Sequence, residues 1–153
     1  MKCRLLLDSR LFPKEETKWL RDVRDEFQGS DFEVYMSYVP VKGMVHENDL
    51  ESFSGLAFAV AGIAIAMARL LKKPVENWTY SRLQAEVTAF LKLKGFEQCN
   101  TEDVMGFENL AARNGKPCVI TVIRPGGRKT RLYVGLTKEI LVVSPVEFDW
   151  RAF

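Results

Sequence analysis

His46 is the only histidine of the chain, and the carboxylates of Glu47 and Asp49 follow it closely in the sequence. An imidazole beside carboxylates could act as a general base or as a metal ligand near neutral pH. A structural zinc site, however, takes four nitrogen or sulfur ligands, and a catalytic site usually takes three protein ligands. Because one histidine falls short of both, the sequence predicts no metal site and no cofactor. We interpret the segment as a solvated acidic loop that offers a binding surface.

Thiols are the second source of chemistry, and the sequence contains Cys3, Cys99 and Cys118. Their number is odd and no Cys-x-x-Cys pair occurs, which argues against a disulfide framework and against zinc. Reduced thiols are therefore expected. A reactive thiol would need an adjacent imidazole that lowers its pKa, so Cys99 or Cys118 would have to meet His46.

A dense group of cations surrounds the turn Pro125-Gly126-Gly127, and Arg113 and Lys116 precede it in the chain. Arginine forks bind carboxylates in two-point geometry, which favours an acidic protein partner. Nucleic-acid readers usually interleave exposed aromatics with basic residues, and only one aromatic is near, so nucleic acid ranks behind protein as the ligand. The simpler alternative is a solvated hairpin tip that protects a sheet edge with charge. The residues expected to bind a partner here are Arg124, Arg128, Lys129, Arg131 and Tyr133.

Length and composition predict one domain covering residues 1–153. The chain has 153 residues, 47% of them hydrophobic, which is enough for one full core. Its formal net charge is only +2, so no global field attracts nucleic acid or anionic lipid. Met1–Asp8 is a short mixed run without the pattern of a cleaved signal, and we therefore expect a cytoplasmic protein.

The stretch Leu56–Leu71 must lie at the centre of the fold, because it contains no charged side chain before Arg69. At about 1.5 Å per residue it is too short for a bilayer core of roughly 30 Å, so the sequence predicts a buried helix and no membrane span. Ala57, Ala61 and Ala64 belong to a stripe of small residues that would let a neighbouring element approach closely.

The remaining patterns predict an α+β fold. The opening reads as strand, helix, strand, which fits either a parallel crossover unit or a helix on an antiparallel pair. Two further helices and a C-terminal three-stranded antiparallel meander follow the central helix. The expected bounds are strands at Cys3–Asp8, Phe32–Tyr38, Cys118–Ile123, Thr130–Leu136 and Ile140–Ser144, and helices at Pro13–Phe27, Trp78–Lys94 and Thr101–Asn114.

The order of these elements resembles the papain-like domain of the bacteriocin-processing cysteine peptidases. The matching segments are Ser54-Gly55 at the start of the central helix, Lys73-Pro74-Val75 after it, Leu110–Cys118 before the meander, and Ser144-Pro145 after it. The resemblance is one of pattern and covers about two thirds of the chain. It implies a papain-like fold.

The same resemblance implies that the catalytic groups are missing. The nucleophile position falls on Ser54, the base position on Lys129 or Thr130, and the position of the orienting acid on Ser144. A thiolate and the imidazole that activates it are both absent from these positions. The resemblance therefore implies a pseudoenzyme without peptidase activity, and a Ser54/Lys129 dyad is the less favoured reading.

The chain is also similar to small accessory components that accompany effector modules in bacterial conflict systems. The similarity rests on Trp19–Asp22, Phe32–Val39, Gly43-Met44, Leu56–Leu71 and Val119–Arg128. The segment Lys72–Pro117 has no counterpart in that pattern. This resemblance also implies a protein without catalytic turnover.

Taken together, the residues and both resemblances predict non-catalytic protein–protein recognition in a bacterial-type cell, by an immunity protein, an adaptor or an effector-associated protein. We expect the basic hairpin to be one binding surface and the loop of His46, Glu47 and Asp49 to be a second. The first alternative is a papain-like thiol enzyme with a displaced active site, built from Cys99 or Cys118 with His46. The second alternative is nucleic-acid binding through the hairpin.

Overall fold

The computed structural model describes residues 2–7, 25, 33–38, 53–93, 100–123, 127, 129–138, 140–144, 147 and 151. Within these ranges two strands come first, two helices follow, and four strands come last, with one short helix between the first two of these four. In order they are β1 (Lys2–Leu7), β2 (Glu33–Tyr38), α1 (Phe53–Leu71), a 3-10 turn (Val75–Asn77), α2 (Tyr80–Leu93), β3 (Asn100–Met105), the short helix α3 (Glu108–Ala112), β4 (Cys118–Ile123), β5 (Lys129–Leu136) and β6 (Ile140–Ser144).

All six strands join one mixed sheet in the order β2-β1-β6-β5-β4-β3. The strands β3 to β6 pair antiparallel, as the predicted meander requires, with β3 as an additional fourth strand. The strand β1 pairs parallel with both β2 and β6. A parallel β1–β2 pair needs a crossover connection. The opening is therefore a parallel crossover unit, and not a helix on an antiparallel pair. The predicted crossover helix Pro13–Phe27 lies outside the described residues, except for Asp25, which is helical.

The core lies between α1, α2 and the sheet, and this α+β arrangement follows the predicted class. On α1 the described side chains from Ile63 to Leu71 are buried apart from Arg69, so the expectation of a helix enclosed by protein is confirmed. Arg69 is half-buried and its Nη1 atom lies 2.9 Å from Oε2 of Glu86 on α2. No helix in the described part of the chain has the length and apolarity needed to cross a membrane.

The predicted helix Thr101–Asn114 is wrong for its first half, which forms the edge strand β3. Thr101 pairs with Val122 across the ladder, and the register shifts between Glu102 and Val104. The side-chain amide of Gln84 on α2 donates a hydrogen bond of 2.8 Å to the Thr101 carbonyl. A threonine followed by two acidic residues is typical of a helix start, but here pairing with β4 outweighs that local preference.

The helix α3 is capped at its C-terminus by Arg113, one residue before the expected end at Asn114. Arg113 has φ = 50°, in the left-handed region, and its N–H donates to the carbonyls of Asn109 and Leu110. Its guanidinium carbon lies 5.3 Å from the ring centroid of Trp78. The Trp78 indole in turn donates a 3.0 Å hydrogen bond to the carbonyl of Lys73. The stacked contact therefore accompanies a backbone conformation that usually belongs to glycine.

We expect Arg113→Ala to lower the free energy of unfolding by about 0.5–1 kcal/mol, because it removes the cation–π contact and keeps the left-handed backbone. Arg113→Gly should change it by less than about 0.5 kcal/mol, because glycine relieves a backbone cost of about 1 kcal/mol and loses the same contact. Urea unfolding of the two variants measures both values. An alanine variant as stable as the glycine variant would show that the left-handed backbone has no cost. An alanine variant as stable as the wild type would show that the cation–π contact contributes nothing.

Candidate partner-binding surface

Three residues of the predicted binding set, Lys129, Arg131 and Tyr133, occupy alternate positions of β5. Alternate residues of a strand point to the same face of the sheet. Lys129 and Arg131 are exposed and Tyr133 is half-buried, whereas Leu132 and Val134 between and beyond them are fully buried. These three side chains therefore lie on the face of the sheet opposite the core.

The ladders bring residues of two neighbouring strands onto the same face. Thr121 of β4 lies directly opposite Arg131, and Val119 lies opposite Tyr133. On β3, Glu102 lies opposite Thr121 and Met105 lies opposite Val119. We call this surface the outer face, and its residues are Glu102, Met105, Val119, Thr121, Lys129, Arg131 and Tyr133.

The two cations of the outer face differ in their pairing. The Nζ atom of Lys129 lies 2.6 Å from Oε1 of Glu102, although the lysine side chain is still 62% exposed. Arg131, by contrast, makes no ion pair or hydrogen bond through its side chain within the described part of the chain. Its guanidinium is thus available for a carboxylate from outside the chain, and such a bidentate bond is stronger than a neutral hydrogen bond.

The rest of the predicted binding set is not covered by the structure. Arg124 and Arg128 lie outside the described residues, as do His46, Glu47 and Asp49 of the acidic loop. Between the two arginines, Gly127 is exposed, has φ = 78° and has open space around it. A left-handed glycine fits the tight turn that the sequence indicates at this point.

Arg113 and Lys116 do not join the outer face, although the sequence places them just before the hairpin. They precede Cys118, at the start of β4, whereas the hairpin follows Ile123 at its end. A strand of this length spans about 20 Å, so these two cations lie at the opposite end of the sheet. Arg113 also stacks on Trp78. The basic surface is therefore smaller than the sequence suggests.

Cys118 is a poor candidate for a nucleophile. Its side chain is fully buried in the core. Burial, together with the nearby Glu108 carboxylate, raises the pKa of the Cys118 thiol to about 12. The thiolate form, which is the reactive one, is therefore nearly absent at neutral pH. Cys99 and His46, the other members of the alternative thiol site, lie outside the described residues.

The positions that the papain-like resemblance marks do not form a catalytic group in the described residues. Ser54 lies in the first turn of α1, and Ser144 is the buried last residue of β6. Lys129 is exposed and ion-paired with Glu102, whereas a lysine base must be desolvated and uncharged. Within the described ranges, no three His, Cys, Asp or Glu side chains group as metal ligands do.

Two contributors to the outer face, Glu102 and Met105, were missed by reasoning from the sequence. Both belong to the segment expected to be helical, and no signal in the chain marks it as a strand that pairs with β4. Met105 is 71% exposed. It extends the surface towards the sheet edge.

Comparison of the chain with protein-family models, with curated proteins and with solved structures gives no match.

Proposed function

We propose that this protein recognises another protein without catalytic turnover, through the outer face and the adjoining basic hairpin. Such a protein would serve as an immunity protein, an adaptor or an effector-associated component. The observation that carries the proposal is the exposed Arg131, which has no partner among the described residues and lies beside Tyr133 on a three-stranded surface. Arginine and tyrosine are enriched at protein interfaces and among their energetic hot spots.

The alternatives receive less support from the described residues. Recognition of single-stranded nucleic acid commonly uses several aromatic side chains on which bases stack, and Tyr133 is the aromatic residue of the outer face. Cys118 gives a thiol enzyme little support, because the side chain is fully buried and burial raises the pKa of its thiol. The papain-like pseudoenzyme reading remains a proposal that is compatible with a central helix packed against antiparallel strands.

Affinity capture from the lysate of the native host tests the proposal. The bait is the wild-type chain beside an Arg124/Arg128/Arg131→Glu variant, with nuclease treatment of every sample. A matched control, Arg82/Lys92/Lys138→Glu, makes the same change in net charge at exposed positions away from the outer face. We expect a specific protein to be retained by the wild type and by the control, and to be lost by the hairpin variant.

Three results would contradict the proposal. Equal loss from both charge-reversed variants would show a general effect of charge. Retention of nucleic acid in place of protein would favour the second alternative, and its binding should then fall steeply with salt. If no specific protein were retained by the wild type, the proposal of protein recognition would be rejected. The next experiment would then measure the reactivity of the Cys99 thiol.

A further inference from the structure

The outer face combines an apolar row with Arg131, whose side chain makes no ion pair or hydrogen bond within the described ranges. Met105, Val119 and Tyr133 lie directly opposite one another on β3, β4 and β5. Opposite residues of antiparallel strands have Cβ atoms about 5 Å apart, so the three side chains form one continuous strip. Arg131 precedes Tyr133 by two residues and therefore borders this strip on the same face. An apolar contact and a carboxylate contact are thus available side by side.

Because of Glu102, Lys129 and Arg131 differ in how readily they can bind a carboxylate of an external ligand. Its carboxylate already contacts the Lys129 ammonium at 2.6 Å. A ligand carboxylate must compete with Glu102 for Lys129, whereas Arg131 has no ion pair with any residue that the structure describes. Glu102 is itself negative and stands in the row between Thr121 and the sheet edge. The surface therefore favours one well-placed carboxylate over a dense run of negative charge.

The sheet edge at β3 is not suited to the addition of an extra strand. Gln84 occupies the carbonyl of Thr101, and the register shift between Glu102 and Val104 interrupts the ladder. Bulges and covered backbone groups are the usual means by which an edge is protected from pairing. A partner would therefore lie on the outer face and bind through side chains.

We infer that the outer face binds a protein segment that presents a carboxylate next to a large apolar side chain. The carboxylate accepts two N–H bonds from Arg131, and the apolar side chain covers the row of Met105, Val119 and Tyr133. Glu102 holds Lys129 and thereby limits the contribution of any second carboxylate. This inference rests on the proposed function and names the chemistry of its partner.

Titration with synthetic peptides tests the inference. Changes in backbone amide NMR shifts identify the residues at which each peptide binds. The probe, the Glu/Leu peptide, is an end-blocked serine-rich peptide that carries one glutamate next to one leucine. Its controls replace the glutamate with glutamine, replace the leucine with serine, or use oligothymidylate. We expect the Glu/Leu peptide to shift the amides of Val119, Arg131 and Tyr133, and all three controls to bind more weakly.

Single-residue variants separate the two cations. Arg131→Gln should weaken binding of the Glu/Leu peptide about fivefold to tenfold, because it removes a charge-assisted bidentate bond. Lys138→Gln, an exposed lysine at the other end of β5, removes the same charge and should have less than about twofold effect. Glu102→Gln should tighten binding about twofold to fivefold, because it removes a negative charge from the outer face. The matched Glu147→Gln, at an exposed position outside the outer face, should not.

The inference is overturned if Arg131→Gln and Lys138→Gln weaken the peptide equally, if Glu102→Gln does not tighten binding, or if the Glu/Leu peptide leaves the outer face unperturbed. Tighter binding of oligothymidylate at the same amides would overturn it in favour of nucleic acid. The proposed function and this inference can fail independently of each other. A captured protein that is lost with Arg124/Arg128/Arg131→Glu but kept by Arg131→Gln and by Val119→Thr would leave recognition standing and reject this site.

Discussion

Gly62→Leu should lower the free energy of unfolding by about 3 kcal/mol, the upper range for overpacking of a core. Gly62 is buried on α1, where it faces the side chains of α2. A Cβ atom built at this position would lie 3.2 Å from Cδ1 of Phe90 and 3.6 Å from Cδ2 of Leu91. A leucine side chain would therefore have to occupy space that the Phe90 ring already fills, and the two helices would move apart.

Gly62→Ala is the matched smaller change, and its two effects oppose each other. Alanine in place of glycine in a helix interior stabilises the folded chain by roughly 1 kcal/mol. The single Cβ, however, approaches the Phe90 ring more closely than ordinary van der Waals contact allows. We expect these effects to nearly cancel, so that urea midpoints of the alanine variant and the wild type almost coincide.

A double-mutant cycle identifies the contact responsible. Phe90→Ala alone should cost about 3–5 kcal/mol by leaving a cavity, but the double variant Gly62→Leu/Phe90→Ala should be more stable than the sum of the two losses. The added leucine would then fill part of the space vacated by the ring. Strictly additive losses would mean that Gly62 and Phe90 do not share this space, contrary to the packing described.

The second large effect concerns alkaline pH, where the stability should decrease as Cys118 begins to titrate in the unfolded chain. The ordinary pKa of this thiol is 9.0, and burial raises it to about 12 in the folded protein. Between these values the unfolded chain releases the proton and the folded chain retains it. Since the folded state then binds more protons, stability is fully present below pH 9 and falls as the pH rises.

The size of the decrease follows from the difference between the two pKa values. One pKa unit corresponds to about 1.4 kcal/mol, so the loss between pH 9 and pH 12 is at most about 4 kcal/mol. Urea unfolding at a series of pH values measures it. Other groups titrate in this range, and comparison with Cys118→Ala isolates the thiol, because the alanine variant should lack this part of the pH dependence.

Alkylation is an independent measure of the burial and protonation of the same thiol. In the folded wild type, iodoacetamide at neutral pH should leave Cys118 unmodified, and modification should appear only when urea unfolds the chain. Peptide mapping distinguishes Cys118 from Cys3 and Cys99. Rapid modification of native Cys118, or parallel pH profiles of the wild type and Cys118→Ala, would contradict the buried, protonated thiol.

Much of the fold could be predicted because strong local patterns determine it. The uninterrupted apolar stretch of α1 and the helical spacing of Leu83, Val87 and Phe90 on α2 both predict helices that the structure confirms. The β-rich run Cys118–Ile123 likewise forms β4. The segment from Thr101 was misassigned because its local signal is that of a helix start. Its strand conformation depends on pairing with β4, which local patterns do not reveal.

The candidate site, like the fold, has one part that could be predicted from the sequence and one part that could not. The alternation of Arg131 and Tyr133 could be predicted, because both belong to the expected strand Thr130–Leu136 and the period of a strand puts them on one face. Lys129 was expected to precede that strand, but β5 begins at it. That Glu102 neutralises Lys129, and that Met105 extends the apolar row, depends on the register of β3 against β4. The register between distant segments arises from the whole sheet. The different pairing of Lys129 and Arg131 therefore could not be predicted from the sequence.

The position of β1 inside the sheet determines how the chain must assemble. The four antiparallel strands from β3 to β6 are neighbours in sequence, and their ladders close short loops. The strand β1 lies between β2 and β6, and so Lys2–Leu7 must find Ile140–Ser144 across nearly the whole chain. Contacts of such long sequence separation slow folding. Until they form, β6 lacks its neighbour β1, and an unpaired strand edge is prone to aggregation.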